Sequence, residues 1–114
     1  MIRFEGRRVF LAIGVTDMRK AINGLGLVVE QHLELDLFSG DVFVFSNRRR
    51  NLIKLLVWDR NGFWLFQKRL EKSRFTWPES EAEVAEISAE KLGWLLEGLD
   101  IQQALVELEY SCLN

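Results

Sequence analysis

The chain has one cysteine, one proline and one histidine among its 114 residues, and each scarcity removes a class of explanation. A single thiol, Cys112, has no internal partner for a disulfide, which fits a reducing compartment. One Cys and one His cannot supply the four ligands of a structural zinc site. With Pro78 alone, and no Ser- or Gly-rich run, no linker divides the chain, so one domain over residues 1–114 is expected. No uncharged apolar run approaches the ~18 residues of a spanning helix, and no membrane partner is expected. The opening MIRFEGRRVF meets charge at Glu5, Arg7 and Arg8, which leaves no signal-peptide core. A cytoplasmic location follows as the expectation. Gly24 and Gly26 lack the third glycine and the strand-turn-helix setting of a dinucleotide loop, and no Lys-Ser/Thr phosphate loop is present. The acids Asp17, Asp36, Asp41, Asp59 and Asp100 are scattered, so neither a cofactor nor enzymatic activity is expected.

What is present is globular. Hydrophobic residues make up 48% and charged residues 28%, a composition that folds rather than stays disordered. Four Trp and eight Phe promise a dense core. The net charge of -2 hides a strong segregation. Residues 1–46 carry five bases and six acids, residues 47–77 nine bases and two acids, and residues 78–114 one base and nine acids. The three segments are therefore -1, +7 and -8, an asymmetry that speaks about partners more than the pI does.

Apolar periodicity gives an α+β pattern: an antiparallel β-meander of about four or five strands, with two or three helices packed on one face. RRVFLAIG, residues 7–14, reads as a strand ending at Gly14. Met18, Ile22, Leu25, Val29 and Leu33 then follow a helical period, with Thr16 or Asp17 able to cap the first turn. The period runs through Gly24 and Gly26 and favours one helix over two. Residues 42–45 read as a short strand, and Asn61-Gly62 marks a hairpin between LIKLLVWD and FWLFQKRL. RFTW suggests a further strand of the meander, EVAEI an edge strand or lead-in, and SAEKLGWLLEGLD a helix capped by Ser88. A last helical segment is expected in IQQALVELEY.

The hairpin has two faces, because side chains alternate along a strand. Turns of two or four residues both place Lys54, Leu56, Trp58, Phe63, Leu65, Gln67 and Arg69 together. Ile53, Leu55, Val57, Trp64, Phe66, Lys68 and Leu70 form the more apolar face, which is assigned to the core. The first face is a candidate exposed platform. On it and beside it, Arg48, Arg49, Arg50, Lys54, Arg69 and Arg74 are candidate phosphate contacts, with Trp58 and Trp77 as candidate stacking residues. Phosphate neutralisation supplies sequence-independent affinity, and stacking adds roughly 1–3 kcal/mol per base. The competing reading puts the tryptophans in the core and the bases on a solvated edge that discourages strand pairing. Residue patterns alone leave both open.

Several motifs in order resemble a known family: VTDMRKAINGL after an N-terminal strand, GDVFVFSNRRRNLIKLLVWDRNGFWLFQKRLEKSRFTWP, and ISAEKLGWLLEGLD. They are similar to the small accessory protein (TnpB, second-reading-frame-like) of the bacterial insertion-sequence family sixty-six. The resemblance covers about residues 7–100 and leaves a tail of about 101–114. It implies a protein of a mobile element that assists transposition beside a separate transposase, without assigned catalysis. Phe66-Gln67 stands where aromatics are commoner in that family. The partners it implies are DNA, the transposase and other element-encoded proteins. Three mechanisms are then distinguishable by surface. DNA contact needs the arginines and Lys54 on one open surface. A protein adapter, touching no DNA, needs an exposed apolar patch with dispersed arginines. A metal-dependent factor needs acids converging in a cleft. Oligomeric state does not follow from sequence.

Overall fold

A computed structural model describes residues 2–99 and 101. The expected C-terminal helix, Cys112 and Asp100 lie outside the described residues. Five strands, β1 (Val9–Ala12), β2 (Val42–Ser46), β3 (Leu52–Asp59), β4 (Gly62–Arg69) and β5 (Val84–Ile87), form one sheet in the order β4-β3-β2-β1-β5. β2, β3 and β4 are the antiparallel meander read from the sequence, and β5 is the far edge. β1 pairs with β2 in parallel, Val9 opposite Val42 and Leu11 opposite Val44, so the sheet is mixed. A parallel pair needs a crossover, and α1 (Ile22–Leu27) with a continuing π-helical turn, Val28–His32, lies within it. The run is one helix through both glycines, as the period indicated. It begins at Ile22 rather than near Asp17: Ala21 stands at its N-cap without a side-chain bond, and Asp17 instead accepts hydrogen bonds from Arg19. Gly26 is buried where a Cβ would come within 2.9 Å of the Leu37 side chain, so the missing side chain permits that contact.

The α+β class holds, but the helices are not on one face. α2 (Ala89–Leu96) brings Leu92 and Leu95 to a core with Val9, Leu11, Val44, Ile53, Leu55, Val57 and Ile87. α1 and its π turn bring Leu25 and Val29 to a second core with Phe10, Phe43, Phe45 and Leu56. The cause is in the strands. VFLA and VFVFS are buried at every position, the pattern of strands covered on both sides. The hairpin register gives the two faces predicted, with Lys54 opposite Gln67 and Trp58 opposite Phe63. Asp59 pairs with Gly62, so the two turn residues are Arg60 and Asn61, and Arg60 takes the left-handed backbone, φ 53°. The face assigned to the core is buried along β3, at Ile53, Leu55 and Val57, but on the edge strand β4 its Trp64 is 45% exposed and its Lys68 is exposed. The supposed platform is also covered along β3, by α1.

RFTW is not a strand. Residues 70–83 form an irregular strap that carries the chain from β4 across one end of the sheet to β5. Phe75 and Trp77 tuck beneath it into the α2-side core. Ser88 caps α2 as read: its hydroxyl accepts from the Lys91 backbone N–H at 3.1 Å. Ser88→Ala is expected to lower stability by about 1 kcal/mol, measured by urea unfolding with an unchanged m-value.

Candidate nucleic-acid interface

The strand directions gather every basic candidate toward one end of the sheet and leave Trp58 near the other. β1 and β2 finish there, β3 begins there, β4 finishes there and β5 begins there. The end is therefore built from residues 13–16, the loop of residues 47–51 and the strap. The loop is held by Asn47, whose Oδ1 accepts from the N–H groups of Asn51 and Leu52 at 3.2 and 3.1 Å. Its Nδ2 donates to Asn51 Oδ1 at 2.7 Å. This leaves Arg48 and Arg49 exposed.

Arg50 turns the other way. Its backbone sits at φ 56°, its Nη2 donates to the Ile13 carbonyl at 3.1 Å, and its guanidinium lies 5.2 Å from the Trp77 ring centroid. Burial pushes the guanidinium below its ordinary pKa. Trp77 is 7% exposed and its indole N–H donates to the same Ile13 carbonyl at 3.0 Å. The Arg50–Trp77 pair thus clips the loop and the strap to the end of β1. Lys54, 8% exposed, donates from Nζ to the carbonyls of Met18 (2.8 Å) and Lys20 (2.9 Å), anchoring the approach to α1. These three residues hold the fold with the groups a ligand would need.

Arg48, Arg49, Arg69 and Arg74 are exposed. Arg69 is paired with Glu71 at 3.1 Å. Arg49 and Arg74 line a small polar cleft of about 190 Å³ with Asn51, Glu71, Ser73 and Lys72. Lys72, a cation that the sequence reading did not single out, joins them there; its place in the +7 segment was the available signal. Among the described residues, Arg48, Arg49, Lys72 and Arg74 have no ion pair, whereas Arg8 is engaged by Glu86 and Arg19 by Asp17, each at 2.7 Å. The hydrogen-bonded Arg19 guanidinium holds the Asp17 carboxyl well below the usual carboxylate range.

Trp58 lies near the opposite end of β3. At about 3.3 Å per residue it is roughly 20 Å along the strand from Leu52. There it makes edge contacts with Phe38 and Phe63, at 5.1 and 5.0 Å between ring centroids. Phe38 is 55% exposed. The geometry therefore separates the aromatic cluster from the free cations. Among the described residues, no three His, Cys, Asp or Glu side chains converge on a common point, and no helix is long and apolar enough to cross a membrane.

Comparison with known proteins agrees with the motifs. The family described as "IS66 Orf2 like protein" matches residues 7–105. Uncharacterized protein y4hO of Sinorhizobium fredii (strain NBRC 101917 / NGR234) is 42% identical over 93 residues, 82% of this chain and 81% of that protein. Uncharacterized protein y4jC of the same strain is 34% identical over 96 residues, covering 84% and 82%. No solved structure gives a significant match. A family match over residues 7–105, a span that includes all five strands and both helices just described, places the chain in the IS66 Orf2-like family, the accessory proteins of insertion-sequence transposition.

Proposed function

We propose that the protein assists transposition, in the cytoplasm and without catalysis of its own, by binding DNA through Arg48, Arg49, Arg69, Lys72 and Arg74. One observation carries this reading: cations from two separate segments meet at one open end, three of them around one polar cleft and none of those three with an ion pair among the described residues. Arginine and lysine so placed neutralise backbone phosphates and release counterions, which gives affinity without base readout. The transposase, or its complex with DNA, is the proposed partner at the remaining surface. Lys54, Arg50 and Trp77 support the site by holding it in shape. Trp58 is too far from the cations to stack on the same few nucleotides.

A protein adapter is the second reading. It is favoured by the exposed Phe38 beside Trp58 and Phe63, an apolar cluster at the end remote from the cations.

Fluorescence anisotropy on duplex DNA across a salt series separates the two. With three to five phosphates engaged, log affinity falls against log salt with a slope of roughly -3 to -5. Arg48→Ala/Arg49→Ala/Arg74→Ala, all at exposed positions, is expected to keep the fold and flatten the slope by about 2–3. Absence of binding at low salt by folded wild-type protein would overturn direct DNA contact and leave the adapter.

A further inference from the structure

The basic residues share the sheet end with a second, oppositely charged set. The strap crosses that end from β4 to β5, so its sequence order becomes a spatial order. Lys72 and Arg74 come first and stand with Arg48 and Arg49 on the β3/β4 side. Phe75 and Trp77, both buried, pin the middle. Glu79, Glu81 and Glu83 come last, on the β1/β5 side, all exposed. They line one wall of a cleft of about 470 Å³ whose apolar lining includes Ile13, Val28 and Leu33. Val15, 50% exposed, stands at the same cleft. None of the three glutamates has an ion pair among the described residues.

Among the described residues no ion pair joins the two charged sets, and Arg50, which shares the lining of the glutamate cleft, is turned to the Ile13 carbonyl and the Trp77 ring. Three strand spacings separate β3 from β5, about 14 Å, and the anchored Phe75 and Trp77 prevent the strap from folding back. We infer that this end is a self-complementary surface, on which a second copy of the chain docks about a two-fold axis. Rotation by half a turn about the centre of the end exchanges its basic and acidic halves. It sets Arg48, Arg49 and Arg74 of each copy over Glu79, Glu81 and Glu83 of the other. An interface of this kind closes after two subunits. The arginine stems lie along the apolar lining of the cleft while the guanidiniums meet the carboxylates as charge-assisted pairs. A second copy is the occupant that the charges support, because one molecule carries a basic half and an acidic half on one open end.

The dimer covers the same arginines that DNA would take, so the two states exclude one another. Its existence does not rest on DNA binding, and it is tested without DNA. Sedimentation velocity of the full chain at low ionic strength is expected to show a species of twice the 13.3 kDa chain mass, dissociating as salt is raised. Glu79→Arg/Glu81→Arg/Glu83→Arg and Arg48→Glu/Arg49→Glu/Arg74→Glu each put like charges face to face. Each alone is expected to weaken association by roughly a hundredfold or more. Mixed in equal amounts, the two variants present opposite charges at both contacts and are expected to form a dimer again. A wild-type monomer at low salt and high concentration overturns the proposal. So does a dimer that survives in either variant alone, because another surface then holds it. Failure here leaves the DNA titration unaffected, and loss of DNA binding leaves the mixing result unaffected.

Discussion

Trp77→Ala is expected to lower the unfolding free energy by about 3–5 kcal/mol, the range for truncating a buried aromatic. For a domain whose total stability is on the order of 5–15 kcal/mol, that is a large share. Three losses combine. The indole leaves a cavity among the α2-side core residues, the Ile13 carbonyl loses one of its two donors and keeps only Arg50, and the Arg50 guanidinium loses the ring beneath it. Trp77→Phe keeps most of the ring and is expected to cost about 1–2 kcal/mol, chiefly the hydrogen bond. Urea unfolding followed by circular dichroism measures both. A stacking residue on an open surface would behave in the opposite way. Its truncation would leave stability within about 0.5 kcal/mol and weaken binding to single-stranded DNA.

Lys54→Met is expected to cost about 2–3 kcal/mol and lower the melting temperature by on the order of 10 °C. Methionine keeps the unbranched stem, so the change isolates the ammonium and its bonds to the Met18 and Lys20 carbonyls. Relief of the buried charge offsets part of the loss, which is why the sum of two charged hydrogen bonds is not reached. Hydrogen exchange is expected to quicken first at the backbone leading into α1, the segment that Lys54 holds. The salt slope for DNA, measured well below the melting temperature, stays at the wild-type value. A slope lowered by about 1 with unchanged melting would make Lys54 a phosphate contact instead.

These two residues show where sequence reading stops. Lys54 lies in the most basic stretch of the chain, on the less apolar face of the hairpin, and composition treats it like Arg49. Only the packing of α1 over that face turns its ammonium inward. Trp77 ends a segment with strand-like composition, yet residues 70–83 never join the sheet. The strap leaves β4 at an edge and reaches the opposite edge without pairing, and Phe75 and Trp77 are the anchors that make the crossing. Arg50 sits in a run of three arginines, and a left-handed backbone at that one position separates it from its two neighbours.

Local regularities were legible. The alternation of LIKLLVWD and FWLFQKRL gave the two hairpin faces, because a strand has a period of two whatever covers it. Ser88 was legible as a cap because its hydroxyl bonds within its own helical turn. The single helix through Gly24 and Gly26 followed from its apolar period, although its start did not, since no side chain caps Ala21. The β2–β3–β4 meander came from short connections. The parallel β1–β2 pair did not, because nothing local distinguishes a strand that pairs through a crossover from one that pairs through a turn.

By itself the sequence determined the family, the α+β class, the two faces of the hairpin and the segregation of charge along the chain. Each depends on the order or the period of nearby residues. The tertiary structure alone decided which cations are free, that the helices cover opposite faces, and that basic and acidic stretches share one end of the sheet. Exposure and proximity belong to what packs beside a residue, and that neighbour comes from a distant part of the chain.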